Sequence, residues 1–419
     1  MWDPYAGFET TVMPNGLTVH VAHWPDRPWS AVGFVVHSGA RVDPIGLEGT
    51  AHFVEHLVSR NGNMLYGDVE KFFDRIGGSC MLGVTNFKST SYSFFAPSDS
   101  DNLKKAFRYF GNMLLDLRLE RFIEEQRKVI LSEFHRKFPI PAQMDLRWRE
   151  RKTVFYGTWL ERFLSPLGEP GSISRISEMD LQNYYDWHYT PANMSVVCVG
   201  GLGSQEVLKY LENSPFSLMK TGKRSIIPEP QSDFHVPSEN RYVVEMHKIA
   251  KTEVPMERAS YSSVVVVPGT IDWPILTVFR NMVDRLLFDE IRERRGWTYS
   301  VGLNNYNHQA FREATISCSG IPLEALDRIE AVIESCLESI PDMSDLFSET
   351  VHRLVSDIHD LDMTGRALRD NVMNQLQTDH LFTTSTEDNH RISLVTLEDI
   401  REVMKWFAPH RRRTVLTVP

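Results

Sequence analysis

Two segments that lie half a chain apart repeat one pattern, and this repeat limits the folds open to the chain. Residues 175–187 and 394–406 each have the apolar spacing and the polar first turn of a capped amphipathic helix. Each helix is followed by a proline, Pro191 or Pro409, and then by a short apolar run that predicts a final β-strand. The repeat therefore predicts two structurally related domains.

A proline-rich stretch separates the two copies. Residues 214–239 hold four prolines and little periodic pattern, which is typical of an extended linker. We therefore place the domains at residues 1–220 and 221–419. The length of 419 residues leaves each domain enough chain for a core of its own.

Segments with strand and helix patterns mix in both halves without strict β–α–β alternation. This order favours an α+β fold in which each domain is a largely antiparallel sheet covered by helices. The expected strands are residues 18–22, 30–37, 81–96, 241–246, 261–267, 297–303 and 313–319. The expected helices are residues 48–59, 68–76, 102–117, 122–137 and 271–294.

Charge and composition argue against several classes of protein. A net charge of −10 argues against a nucleic-acid-binding protein, which needs a concentrated basic surface. The sequence has no apolar run of about 18 residues that would predict a membrane span, and no visible secretory signal. The four cysteines lie far apart, so we expect them to be reduced. We expect a cytoplasmic protein with neither nucleic-acid nor membrane partners.

His52 and His56 form the most informative motif in the chain. They are four residues apart on a predicted helix, so their imidazoles lie on one face and can both reach one zinc ion. Glu55 stands beside them, where a carboxylate would hold and deprotonate a water molecule. Short motifs also arise by chance, and the alternative is an ordinary helix that carries two histidines.

A catalytic zinc site needs a third protein ligand, and Glu133 is a candidate. It lies on the predicted helix 122–137, on the same face as Gln126. A carboxylate on a second helix would complete the site. Spacing alone nevertheless favours a solvated helix glutamate, because glutamates are mostly exposed.

Taken together, these residues resemble the pitrilysin, or insulinase, family of zinc peptidases. The resemblance begins at residues 14–17 (Pro-Asn-Gly-Leu), includes the HxxEH helix and Glu133, and continues through residues 189–193 (Tyr-Thr-Pro-Ala-Asn) to residues 291–299. It covers essentially the whole chain, and it implies a zinc metalloendopeptidase.

The resemblance also implies a role for each site residue. The metal ligands that it implies for Zn²⁺ are His52, His56 and Glu133. Glu55 would be the catalytic base. In the family, an arginine and a tyrosine seven residues apart help to bind the substrate and to stabilise the tetrahedral intermediate, and Arg292 and Tyr299 match this pair.

The chain resembles the short, two-domain members of the family, which work as dimers that form a hollow clamshell. Three hypotheses follow. The first is an endopeptidase that hydrolyses peptides or precursor segments inside a homodimer, where Arg292 and Tyr299 face the zinc of the partner subunit. The second is a zinc-bearing subunit that needs a related second chain. The third is a non-catalytic scaffold subunit, and the intact ligands and base argue against it.

The chain departs from the family pattern at two places. Gln126 stands where the family usually has a second glutamate that supports the site. The family's substrate strand usually contains Asn-Ala after a Gly-Gly pair, but here Gly77-Gly78 is followed by Met81 and Leu82 without the asparagine. The resemblance therefore leaves open how a peptide backbone would be held along this strand.

Overall fold

The computed structural model divides the chain into two compact units. The structure describes residues 5, 7–60, 66–98, 100–115, 117, 122–139, 144, 148, 151–152, 155, 159–225, 241–245, 258–307, 311–361, 364–379 and 383–418. The first unit comprises Met1–Lys137, Phe163–Pro228 and Leu361–Phe382, and the second comprises Phe138–Arg162, Glu229–Asp360 and Thr383–Pro419. The boundaries expected from the sequence, 1–220 and 221–419, do not account for two segments. Residues 138–162 belong to the second unit, and residues 361–382 belong to the first.

The first unit is built on a six-stranded sheet. Its strands are β1 (Phe8–Val12), β2 (Thr18–His23), β3 (Trp29–Val36), β4 (Ser79–Thr85), β5 (Thr90–Pro97) and β6 (Met194–Gly200). Their order is β1-β2-β6-β3-β5-β4, and all neighbours are antiparallel except β2 and β6. The expectation of a largely antiparallel sheet is confirmed, and β4 lies at one edge of it.

The segment that was expected to be one strand, residues 81–96, forms a hairpin instead. β4 and β5 pair with each other, and the chain reverses between Asn86 and Ser89, where the Asn86 N–H donates to the Ser89 carbonyl at 2.8 Å. The Asn86 carbonyl accepts from the Ala40 N–H at 3.0 Å, which fixes the turn to a neighbouring loop. Threonine, serine and aromatic residues, which favour strands, occur on both sides of this turn. The sequence pattern alone therefore does not show that the segment contains two strands.

Helices cover both faces of this sheet. They are α1 (Thr50–Ser59), α2 (Tyr66–Arg75), α3 (Ser100–Leu115), α4 (Ile123–Lys137), α5 (Pro170–Arg175), α6 (Glu178–His188) and α7 (Ser204–Glu212). On one face, Phe34 of the sheet stacks on Phe110 of α3 and on Phe216 at ring distances of 5.3 and 5.1 Å. Burial of this apolar face is the main stabilising term for the unit.

The other face of the sheet is covered by a helix from late in the chain. It packs on Val35, Val197 and Val199 through a side that includes Leu368 and Met373. This helix belongs to the first unit although it follows most of the second unit in sequence.

The second unit repeats the topology of the first. Its strands are β7 (Arg241–Glu245), β8 (Ala259–Pro268), β9 (Ser300–Asn307), β10 (Phe311–Ile321) and β11 (Arg413–Val418). Their order, β7-β11-β8-β10-β9, corresponds to β2-β6-β3-β5-β4, and again only the first pair is parallel. The remaining helices of the described chain are α8 (Trp273–Leu287), α9 (Leu326–Ser339), α10 (Ser344–Leu361), α11 (Gly365–Asp379), α12 (Ser385–Ser393) and α13 (Leu397–Met404). The helix on the second face of the first unit is α11.

The repeated segments form equivalent elements. α6 begins with a capping box between Ser177 and Asp180, and α13 begins with one between Thr396 and Asp399. Each box satisfies backbone N–H groups that the first helical turn leaves unpaired. β6 and β11 follow the two helices in the same position of the two sheets, so the prediction of related domains from this repeat is confirmed.

The helix expected at residues 271–294 is shorter and ends irregularly. α8 ends at Leu287, and one π-helical turn over Phe288–Glu293 follows it. Gly296 then takes a φ of 63°, which reverses the chain toward β9. Residues 226–239 of the linker expected at 214–239 lie outside the described residues, and Pro215–Leu218 near its start form a 3-10 turn in which Phe216 is buried. None of the helices in the described ranges combines the length and apolar character needed to cross a membrane.

Candidate metal centre

The start of α1 is fixed by a buried aspartate from the preceding loop. The Asp43 carboxylate accepts from the Gly49 N–H at 2.7 Å and from the Ala51 N–H at 2.8 Å. These bonds satisfy two donors of the first helical turn and favour a negative charge there. Gly49 has a φ of 103°, and a Cβ there would press on the Leu167 carbonyl, so only glycine fits. No sequence motif marks Asp43 for this role, since its two partners are six and eight residues away.

The two histidines of α1 and the glutamate of α4 converge. Glu133 Oε2 lies 3.7 Å from His52 Nε2 and 3.5 Å from His56 Nε2. Two donor atoms that bind one zinc ion tetrahedrally at about 2.1 Å stand about 3.4 Å apart. The observed separations are close to that edge length, so these three side chains fit a zinc ion.

Glu55 lies beside this set but has a different contact pattern. The ligand atoms of His52, Glu55 and His56 lie within 4.8 Å of one another, so by proximity Glu55 is also a candidate ligand. Its Oε2 approaches His52 Nε2 at 3.9 Å, whereas one oxygen of Glu133 approaches both imidazoles. Glu133 is therefore placed to share one ion with both imidazoles, whereas Glu55 lies beside them without a short contact to both.

Gln126 orients one of the histidines. Its Oε1 lies 3.2 Å from His56 Nδ1. An amide oxygen can only accept, so this bond places a proton on Nδ1, and Nε2, which faces Glu133, is the nitrogen that a metal ion would use. Outer partners of this kind fix the tautomer of metal-binding histidines. The family's usual glutamate is replaced here by a residue that keeps the acceptor and removes the charge.

The electrostatics of the site favour metal-binding protonation states for two of the three proposed ligands. Burial, together with the charge of His56, lowers the pKa of His52 to about 3, so this imidazole is neutral at pH 7. A hydrogen bond with His56 lowers the pKa of Glu133. Burial opposes protonation of His56, but the carboxylates of Glu133 and Glu55 outweigh it and raise the pKa of His56. A cation at this position would take the place of that proton.

The environment of Glu55 differs from that of Glu133. Burial raises the pKa of the Glu55 carboxyl to about 7, against the opposing effects of His56 and Ser59. The Glu133 side chain, by contrast, is 32 % exposed. A carboxyl that titrates near neutral pH is suited to accept and return a proton. The environment of Glu55 thus suits a group that transfers protons, and that of Glu133 suits a group that stays ionised.

Arg292 and Tyr299 lie in the second unit and contact each other. The Arg292 guanidinium stands 4.3 Å from the centre of the Tyr299 ring and donates to the Tyr299 carbonyl at 3.2 Å. The same guanidinium lies over Phe288 at 4.7 Å. Tyr299 is 82 % exposed, which is unusual for a large aromatic side chain. Their role at the metal site stays a prediction.

Comparison with known proteins identifies the family. Residues 18–137 match the model described as insulinase (peptidase family M16), and residues 175–350 match the model described as peptidase M16 inactive domain. The chain belongs to peptidase family M16. The first match contains the whole candidate metal centre, and the prediction of an insulinase-family member is confirmed.

Two relatives illustrate the similarity in sequence. The chain is 27 % identical over 259 residues to a probable mitochondrial-processing peptidase subunit beta from Arabidopsis thaliana, covering 60 % of this chain and 47 % of the relative. It is 28 % identical over 226 residues to the zinc protease PqqE from Helicobacter pylori, covering 53 % and 49 %. The chain thus spans about half the length of these relatives, both of which are named as peptidases or peptidase subunits.

A solved structure extends the likeness to the whole chain. A protease from Helicobacter pylori superimposes with a TM-score of 0.82 over 100 % of both chains, at 20 % identity. At that identity the match supports the fold. The two-unit α+β fold is therefore that of M16 peptidases, and relatives in this family include one named as a zinc protease.

Proposed function

We propose that the chain is a zinc-dependent endopeptidase whose metal is held by His52, His56 and Glu133. One observation carries the proposal. The Glu133 carboxylate meets both imidazoles at 3.5 and 3.7 Å, while a second, buried carboxyl, Glu55, stands beside them without sharing that contact. A metal-dependent hydrolase needs this division between an acid that binds the ion and an acid that moves a proton.

The chemistry is the hydrolysis of a peptide bond. A bound zinc ion would lower the pKa of a water molecule and polarise the scissile carbonyl. Glu55 takes one proton from the water as its oxygen bonds to the carbonyl carbon. Glu55 then returns that proton to the amide nitrogen as the carbon–nitrogen bond breaks, so the base is regenerated.

The edge strand β4 supports an extended peptide as the substrate. Its outer edge is the last position of the sheet, and Met81 and Val84 expose 39 % and 38 % of their surface. A peptide added along this edge would bind mainly through its backbone, and its side chains would alternate between the two faces. A cleft of about 340 Å³ lies beside β4, lined among others by Met81, Val84 and Arg366. Side chains of the peptide that enter this cleft would contribute to sequence preference.

We propose that Arg292 and Tyr299 act on the substrate in a dimer, each in the site of the partner subunit. A partly exposed guanidinium and an exposed phenol suit the stabilisation of a developing oxyanion, since both donate hydrogen bonds and one carries a positive charge. The second candidate function is that of one subunit in a heterodimer with a related chain. It is supported by the relative that is named as subunit beta of a processing peptidase.

Peptide cleavage by mass spectrometry tests the proposal. Wild type and Glu55→Gln would be incubated with mixed peptides of about 15–30 residues, long enough to pair with an edge strand. We expect wild type to cut internal bonds and Glu55→Gln to be inactive while it retains one zinc ion per chain, because the amide cannot accept a proton. His52→Ala should lose both zinc and activity. Glu349→Gln, a matched change at an exposed position of α10, should behave as wild type.

Three outcomes would contradict parts of this proposal. Equal cleavage by wild type and Glu55→Gln would remove Glu55 as the base. Full zinc content in His52→Ala would remove His52 as a ligand. A zinc-loaded wild type that cuts no peptide would reject a self-sufficient enzyme and would favour the heterodimer, which copurification of a similar chain would then test.

A further inference from the structure

The edge strand β4 is irregular next to the candidate centre. Met81 pairs with Ser93 and Val84 pairs with Ser91, so three steps along β4 correspond to two along β5. The extra residue forms a β-bulge at Leu82 and Gly83. Such bulges redirect the strand locally, and this one lies where β4 packs against α1.

Gly83 lets the bulge lie directly against Glu55. A Cβ built on Gly83 would overlap Oε1 and Cδ of the Glu55 side chain. The residue also has a φ of +158°, which side chains other than glycine rarely adopt. The carboxylate therefore occupies the space that any other residue at position 83 would fill.

Ser59 links the same carboxylate to the bulge. Its hydroxyl lies 2.7 Å from the Glu55 carbonyl oxygen, 3.2 Å from Glu55 Oε1, and within hydrogen-bonding distance of the Leu82 carbonyl oxygen. The single hydroxyl proton can be donated to only one of these three oxygens at a time, and the Ser59 residue is 7 % exposed, so water does not compete freely for it. One buried hydroxyl thus connects the helix that carries the base with the strand proposed to bind substrate.

We propose that Ser59 and the Leu82–Gly83 bulge are a positioning device that holds the Glu55 carboxylate away from the metal. The proposal rests on the peptidase function given above. Glu55 Oε2 is only 3.9 Å from His52 Nε2, so a modest rotation would make Glu55 a fourth protein ligand. A fourth ligand would fill the position that the water needs. Ser59 restrains Oε1, and Gly83 leaves the pocket into which it fits.

The test compares Ser59→Ala with Ser59→Thr, which keeps the hydroxyl. With a peptide substrate, Ser59→Ala should lower kcat about tenfold, the effect of one lost hydrogen bond, and leave KM within about twofold. Ser59→Thr should recover most of that loss. Ser348→Ala is the matched control, because Ser348 also donates to the carbonyl four residues earlier on its helix but lies exposed on α10.

A spectroscopic readout separates positioning from general destabilisation. With cobalt(II) in place of zinc, the visible spectrum reports the number and type of metal ligands. We expect Ser59→Ala to bind one cobalt ion with a changed spectrum, because the released Glu55 carboxylate reaches the metal, and Ser59→Thr to keep the wild-type spectrum. Gly83→Ala, which displaces the carboxylate directly, should change the spectrum and lower kcat further.

Two results would overturn the inference. One is a Ser59→Ala variant with wild-type kcat and cobalt spectrum. The other is a Ser59→Thr variant as impaired as Ser59→Ala, because the hydroxyl would then not be the relevant group. If wild type cuts no peptide, the self-sufficient endopeptidase is rejected, but the cobalt spectra still decide whether Ser59 holds Glu55 off the metal.

Discussion

At the residue scale, His56 is oriented by a neutral amide where the family pattern has a carboxylate. Gln126 accepts from Nδ1 and is itself 1 % exposed, so the bond is shielded from water. A carboxylate in the same place would increase the negative charge near the ion and the basicity of the imidazole. Gln126 therefore keeps the orientation of His56 while giving a less negative site.

This contact predicts the effect of removing the amide. Gln126→Met keeps the approximate volume and loses the acceptor, so zinc affinity should fall about 10–100-fold, the usual effect of losing an outer partner. Competition with a chelator of known affinity measures it. Gln126→Glu keeps an acceptor and should bind zinc at least as tightly as wild type. Unchanged affinity in Gln126→Met would show that the His56 contact does not orient the ligand.

The residues of the site were not equally visible in the sequence. His52, Glu55 and His56 could be identified because their spacing on one helix fixes their relative positions. Glu133 needed the family resemblance, since its position depends on how α4 packs on α1. Ser59 gave no signal, because its partner Leu82 is 23 residues away and meets it only through a bulge that the sequence does not reveal.

At the element scale, α11 approaches the sheet closely because of a glycine. A Cβ on Gly365, the first residue of α11, would overlap the ring of Trp29 on β3. The ring is held in turn by Trp24 and Phe95, at centroid distances of 6.1 and 5.5 Å. A rigid aromatic cannot yield as the end of a flexible side chain does, so the contact requires glycine.

Gly365→Ala should therefore lower the free energy of unfolding of the first unit by about 1–3 kcal/mol, the usual cost of an overpacked site. Chemical denaturation followed by tryptophan fluorescence measures it. The matched control is Gly171→Ala in the first turn of α5, where a Cβ meets only the end of the Arg175 side chain at 3.6 Å. Helix propensity predicts a neutral or slightly stabilising effect there. Equal stability of Gly365→Ala and wild type would contradict the close packing.

The elements themselves were largely predictable. Periodicity identified the helices near α1, α3 and α4 and most strands to within a few residues. The turn at Asn86 was missed because strand-forming residues lie on both sides of it. The π-helical turn after Leu287 was missed because its residues continue the apolar pattern of α8.

At the scale of the whole molecule, the two units share a topology, and the candidate metal motif lies on helices of the first unit. The described residues of the second unit contain no equivalent group of metal-binding side chains. The second unit instead presents Arg292 and the exposed Tyr299. The two units thus have similar topologies, and the candidate ligands lie in the first unit.

Mixing two inactive variants tests the proposed dimer. Glu55→Gln lacks the base but keeps Arg292, whereas Arg292→Ala lacks the arginine but keeps the base. If each arginine acts in the site of the partner subunit, a mixed dimer has one intact site out of two. After random exchange half of the dimers are mixed, so cleavage should return to about a quarter of the wild-type rate. Activity that stays at the level of the separate variants would place Arg292 in its own chain's site. Glu55→Gln mixed with His52→Ala is the control, and it should stay inactive in either arrangement.

The late position of α11 in the chain has a consequence for synthesis. Val35, Val197 and Val199 emerge from the ribosome well before Leu368 and Met373, which cover them. The apolar sheet face of the first unit therefore stays uncovered during synthesis until α11 has been translated. Exposed surface of this kind promotes aggregation of incomplete chains. A truncation after residue 220 would leave that exposure permanent, so a gene fragment that encodes only the first half should not give a soluble metalloprotein.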